Sequence, residues 1–176
     1  MKLLLLILTV SVYAFSASIT LPENFQAKFT QKITNPKKKV INYSGKVFFS
    51  NKSLLKWEYI KPTKKEVCTD GYSLVVVDHD LEQVSNYRIE KGFDLTAILK
   101  AAKPVKDRKT VYLAKYEGKN YTIQTDRKGR LNRVVYFDDL DNTVLIIFSK
   151  MKYGKGKLKA NTMKCGYPKS YDIING

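Results

Sequence analysis

The chain has one histidine and two cysteines, too few for the usual His/Cys metal sites. His79 stands between Asp78 and Asp80 in a turn-like stretch, and no second histidine completes a zinc ligand set. There is no CxxC and no His/Cys cluster at ligand spacing. No Ser/His/Asp or Cys/His arrangement can be assembled. Gly154 and Gly156 lie among lysines without the strand-to-helix switch of a phosphate loop. Asp138, Asp139 and Asp141 lack the spacing of a calcium loop and read as a hairpin turn. The expectation is a protein with no catalytic residue, no metal site and no cofactor. Internal repeats and low-complexity linkers are also missing. So is a membrane span: Leu3 to Val12 is an apolar run of about ten residues, whereas a bilayer core of about 30 Å needs roughly 20. Acidic residues are scarce, 16 against 32 Lys and Arg, giving a net charge of +16.

What is present begins with an export signal. Met1-Lys2 supplies a positive start, Leu3 to Val12 the apolar segment, and Ala14 to Ser18 the small residues of a cleavage site. Residues 1–17 read as a signal peptide that is removed, and 18–176 as a single domain outside the cytoplasm. No cysteine follows the apolar segment, so no lipid is attached at the cut. About 160 residues suffice to bury a core, or to divide apolar side chains between a core and a ligand cavity. Such a basic chain suggests nucleic acid. Export and scattered lysines argue against that partner: Lys37-Lys38-Lys39 follows Pro36 in a turn, and Lys150 to Lys159 reads as a Gly/Lys-rich loop. A solvated basic surface, or attraction to anionic membranes, fits better. Export permits a disulfide between Cys68 and Cys165 that would close a 97-residue loop and tie the C-terminal segment down. Two separate buried thiols are the alternative.

Period-two alternation dominates the pattern. Phe25, Ala27, Phe29 and Ile33 alternate with Gln26, Lys28, Thr30 and Lys32. Strands are predicted at Tyr43–Ser50, Leu54–Ile60, Glu66–Thr69, Leu74–Val77 and Val84–Ile89, then at Lys109–Tyr116, Tyr121–Thr125, Arg130–Asp138 and Asn142–Ser149. One helix interrupts them: Asp94 suits an N-cap, Leu95, Ile98, Leu99 and Ala102 share a face, and Pro104 follows. About ten consecutive antiparallel strands must curl or close. The space between such a sheet and a helical cover is a natural place for an apolar ligand.

These motifs resemble a family. Phe25-Gln-Ala-Lys-Phe-Thr-Gln31 is similar to the opening F-x-A-x-F-x-Q of the outer-membrane lipoprotein carrier proteins, the LolA family. Gly45-Lys-Val47, then Leu55-Lys-Trp57 with Tyr59 and Pro62, then Thr69-Asp-Gly71, Leu74 and Leu81-Glu-Gln-Val84 resemble its later segments in order. Tyr121-Thr-Ile123, Asp126-Arg-Lys-Gly129 and the stretch from Asp138 to Phe148 resemble its last hairpins. The likeness spans residues 25 to 174. It implies a mainly β fold, an incomplete, half-open antiparallel β-barrel covered by a lid of short α-helices. It implies a monomeric periplasmic carrier that shelters the acyl chains of lipoproteins. An inner-membrane lipoprotein-releasing ABC transporter would load it, and the outer membrane or an outer-membrane receptor would unload it. Two departures stand out. Few residues, Pro22 among them, precede Phe25, so the lid is expected to be smaller. Asn51-Lys52 stands where many members carry an Arg-Pro that ties the lid shut, which makes Asn51 the candidate lid contact.

The candidate acyl-binding residues are Val47, Phe49, Leu55, Trp57, Tyr59, Val67, Leu74 and Val76, with Leu95, Ile98 and Leu99 on the lid. Leu55, Trp57 and Tyr59 alternate with Lys56 and Glu58, which are expected on the opposite face. A reading from another class is a secreted basic binding protein for acidic glycans or envelope surfaces. Salt separates the two, because charge-driven binding fades with ionic strength and burial of apolar chains does not.

Overall fold

The computed structural model describes residues 19, 21–51, 53–89 and 94–176. The proposed signal peptide, residues 1–17, lies outside the described residues, as does Lys52. The described chain forms one open sheet of twelve strands. They are β1 (Asn24–Thr34), β2 (Val40–Ser50), β3 (Leu54–Lys61), β4 (Lys65–Thr69), β5 (Ser73–Asp78) and β6 (Gln83–Arg88). After helix α1 (Leu95–Lys100) come β7 (Lys103–Val105), β8 (Arg108–Tyr116), β9 (Lys119–Thr125), β10 (Leu131–Phe137) and β11 (Thr143–Gly154). Helix α2 (Ala160–Met163) and β12 (Asp172–Asn175) end the chain. The order across the sheet is β12-β6-β5-β4-β3-β2-β1-β11-β10-β9-β8-β7, so the meander of β1 to β6 meets the second meander where β1 pairs with β11. The pairing is antiparallel except for β12, which adds parallel to β6. The mainly β, half-open architecture expected from the sequence is thus the one observed.

Alternation in sequence becomes two faces in space. Phe25, Ala27 and Phe29 of β1, Val47 and Phe49 of β2, and Phe148, Ile146 and Val144 of β11 are buried together on the inner face. Fully burying such a side chain contributes about 1.5–3 kcal/mol. Gly45 sits where Phe29 and the β3 backbone converge; a Cβ there would come within 1.8 Å of the Glu58 carbonyl oxygen. Asp94 caps α1, its Oδ1 accepting from the Ala97 N–H at 2.9 Å. The helix drives Leu95, Ile98 and Leu99 into the inner-face core, their three-and-four spacing placing them on one side.

Several details depart from the sequence reading. β11 runs on to Gly154, pairing its last residues with Asn24 to Gln26 beyond a bulge, so Lys150 to Gly154 is strand and the loop starts later. Pro104 follows α1 as expected, and it lies within the short edge strand β7. The outer face over β3 to β5 is not left to water. Residues after Gly154 fold back across it, and α2 rests against β2 and β3 on that side. Cys68 and Cys165 form a disulfide there, S–S 2.09 Å. Met163, Val77 and Val84 are buried apart from the inner-face core. Of the two described helices, α1 alone belongs to the inner side. His79, in its turn, is half-buried, with Nδ1 3.2 Å from the Tyr171 hydroxyl.

Candidate functional site

Register brings distant segments into rows on the inner face. Ala27, Val47, Trp57, Val67 and Val76 lie side by side across β1 to β5. Phe25, Phe49, Leu55, Thr69 and Leu74 form the next row. Phe29 anchors a cluster of rings: Trp57 at 4.7 Å and Tyr59 at 5.1 Å meet it edge-on, and Tyr43 meets Tyr59 at 5.6 Å. Edge-to-face contacts of this kind fix ring orientation as well as burying area. Phe25 and Phe49 stack at 5.1 Å.

Two cavities open from this surface. The lateral one, about 350 Å³, is walled by Leu55, Trp57, Tyr59, Val67 and Leu74, with Ile146 and Tyr136 opposite. The second, about 580 Å³, lies at the end of the half-barrel where β1 begins. Leu21, Pro22, Phe49, Asn51 and Leu99 line it. The candidate lining residues are therefore divided. Leu55, Trp57, Tyr59, Val67 and Leu74 face the lateral cavity, while Phe49 faces the end cavity. Phe49 and Leu55 are cross-strand partners, so the two spaces adjoin at that pair. Val47, within the first row, is wholly buried in the core. Val76 is half-buried beside Val67. Leu95 and Ile98 pack into the core, and Leu99 also reaches the end cavity. Asn51 shares that cavity wall with Thr96 and Leu99 of α1; its backbone bonds to Glu23 and Ser53.

Polar groups in the lateral cavity are few and neutral. The Tyr59 hydroxyl donates to Gln31 Oε1 at 3.1 Å. Burial, with the Tyr136 and Tyr43 phenols adding to it, holds the Tyr59 phenol far above its ordinary range. Burial, aided by Tyr121, pushes the Tyr136 phenol up to about 12. Both stay protonated at physiological pH, so the wall carries no phenolate. Gln31, Tyr136 and Ile146 were not singled out from the sequence. Gln31 shares the parity of Phe29 and Ile33, which was the available signal; Tyr136 and Ile146 needed the β1–β11 pairing, which no local pattern announces.

The outer-face cluster of Glu66, Cys68 and Cys165 brings a carboxylate oxygen and two sulfurs within 4.8 Å. Its chemistry does not suit a cation. The sulfurs are joined to each other, and the Lys56 ammonium stands 3.1 Å from Glu66.

Comparison with known proteins gives this geometry a family. The family described as outer membrane lipoprotein carrier protein LolA matches residues 22–109. An outer-membrane lipoprotein carrier protein from Campylobacter jejuni is 32% identical over 85% of this chain and 85% of its own length. The chain belongs to the outer-membrane lipoprotein carrier protein family. A relative of the same name from Wolinella succinogenes is 30% identical over 71% of this chain and 72% of its own. The crystal structure of an uncharacterised conserved protein from Thermus thermophilus superposes with a TM-score of 0.57. It is 12% identical, covering 89% of this chain and 92% of that one, and shares the fold.

Proposed function

We propose that this chain is a periplasmic carrier that shelters the acyl chains of lipoproteins and passes them from the inner to the outer membrane. One observation carries the reading: an apolar, uncharged cavity between the inner face of an unclosed sheet and the opposite strands, in a member of the lipoprotein carrier family. It acts as a binding protein, not an enzyme. Leu55, Trp57, Tyr59, Val67 and Leu74 receive the chains, Phe49, Val47 and Val76 back the wall, and α1 with Leu95, Ile98 and Leu99 is the lid that Asn51 faces. Residues 1–17 direct export and are removed, and the protein works as a monomer. An inner-membrane lipoprotein-releasing ABC transporter loads it, and the outer membrane or a receptor there unloads it.

Magnitudes shape the mechanism. Each buried CH₂ is worth about 0.8 kcal/mol, so two or three long chains released into water would cost tens of kcal/mol. Cargo must pass directly from site to acceptor. A benzene fills a cavity of about 150 Å³, which is roughly 25 Å³ per carbon. The lateral cavity of about 350 Å³ then holds about one chain. A lipoprotein with two or three requires α1 to swing outward, which withdraws its buried side chains Leu95, Ile98 and Leu99 from the core.

Leu55→Glu tests the assignment by placing a charge in the wall. The variant should fold, with circular dichroism near that of the wild type, yet lose capture of lipidated protein. Full capture by the folded variant would remove Leu55 from the site.

A further inference from the structure

The end cavity has features that sheltering acyl chains alone does not require. Its wall is apolar, with Leu21, Phe49 and Leu99. Its mouth carries two cations, Lys100 at the end of α1 and Lys157 in the loop after β11. Neither forms an ion pair with an acidic side chain among the described residues. Loops rich in Gly and Lys are ordinarily loose, but this one is pinned. Asn24 Nδ2 donates to the Lys155 carbonyl at 3.0 Å and to the Gly156 carbonyl at 2.8 Å. The Gly156 N–H donates to Glu23, and the Leu158 N–H to Ser50 Oγ at 2.9 Å. Asn24 and Ser50 are themselves buried polar residues. Gly154 lets the strand end press onto Asn24, since a Cβ there would lie 2.5 Å from Asn24 Oδ1. Glu23, the acidic side chain on the wall, is engaged by the Gly156 N–H. The backbone on either side of Lys157 is therefore held by buried anchors.

We propose that the end cavity is a second binding site, for a single-chain amphiphile whose anionic head meets Lys100 and Lys157 while its tail lies against Leu21, Phe49 and Leu99. The head is a carboxylate or a phosphate monoester. A volume of about 580 Å³ accommodates a chain of about eighteen carbons, which needs roughly 450 Å³. The proposal does not depend on the lateral cavity being the lipoprotein site.

The test is equilibrium binding of oleate, of 1-oleoyl-glycerol-3-phosphate and of neutral oleyl alcohol. Two exposed ion pairs of about 0.7 kcal/mol each sum to about 1.4 kcal/mol, about tenfold in affinity. At least one anionic probe should therefore bind about tenfold more tightly than the alcohol. Oleate binding best indicates a fatty carboxylate, and the phosphate monoester binding best a lysolipid head. The Lys100→Gln/Lys157→Gln variant changes only surface residues and should erase that preference without altering the alcohol. Equal affinity for charged and neutral probes, no binding of either anion, or an unchanged preference in the double variant would each overturn the proposal.

Discussion

Replacing Lys56 by Met should unsettle the protein from its outer face. Lys56 lies on β3 between two residues of the candidate acyl site, and its side chain is only 6% exposed. Its ammonium has three donors and three acceptors: Glu66 at 3.1 Å, Glu58 at 3.4 Å and the Lys164 carbonyl at 2.8 Å. Met keeps most of the aliphatic stem and removes the charge. Two carboxylates then remain on a covered surface, with Glu66 retaining the Gly166 N–H and Glu58 only a distant Lys46 at 3.9 Å. Breaking a fully buried pair from one side costs about 3–5 kcal/mol. Glu58 and Glu66 are 28% and 19% exposed, so water recovers part of this and a loss of about 2–3 kcal/mol follows. At about 2–4 °C per kcal/mol, the melting temperature should fall by about 4–12 °C. Urea unfolding with the disulfide intact, followed by the fluorescence of Trp57, gives the number. Adding Glu66→Gln to the variant should restore part of the loss, because a neutral amide needs no cation. A Lys56→Met protein within about 0.5 kcal/mol of the wild type, or a double variant no better than the single, would refute the argument.

Three further outcomes are expected. Replacing Cys68 and Cys165 together by Ser releases a 97-residue loop, and the chain-entropy relation puts the loss at up to about 4–5 kcal/mol, measurable as a lower urea midpoint; an unchanged midpoint would show that the outer-face contacts hold the segment unaided. Changing Lys37, Lys38 and Lys39 to Gln should slow transfer to anionic vesicles at low salt and leave equilibrium acyl-probe binding alone, since steering acts on encounter and is screened by ions; loss of probe binding at every salt concentration would place these charges in the site. Acid should destabilise the fold in a defined window. The Ser73 and Tyr72 N–H groups hold Asp70 below the usual carboxylate range, and Lys65 does so for Asp78 against an opposing desolvation. A depressed carboxylate contributes stability above its ordinary pKa and loses it as pH falls through the lowered value, so melting temperature should stay level from about pH 8 to 5 and drop below about pH 4.

The inner face was legible because its signal is local. Phe25, Ala27 and Phe29 alternate with polar residues, and the alternation survived as burial. The α1 start was legible in Asp94 and the spacing of Leu95, Ile98 and Leu99. What escaped was tertiary. Lys56 and Glu58 do lie opposite Leu55, Trp57 and Tyr59, but nothing local says that this face is covered: the Lys164 carbonyl that Lys56 meets is 108 positions away. Asp172-Ile-Ile-Asn175 shows no alternation and becomes β12 because the edge of β6 offers it hydrogen bonds. The last residues of β11 were hidden by their lysines and glycine, which read as a loop; the strand continues past a register shift opposite Gln26 and Lys28. The division of the lining residues between two cavities depends on where α1 sits and on the cross-strand Phe49–Leu55 pair, neither of which a periodicity encodes.

The seam that never closes has a mechanical consequence. In a closed barrel, strand number and stagger fix the radius, and widening it means tearing a ladder. Here β7 and β12 end the sheet without meeting, the one protected by Pro104 and the other only four residues long. Every ladder between them can be kept while the sheet uncurls or tightens, because twist and coil are soft and hydrogen bonds are not. The radius of curvature is a free coordinate, governed by whatever lies against the inner face. An unclosed shell can therefore change girth without breaking a ladder, which a closed barrel of the same strands cannot.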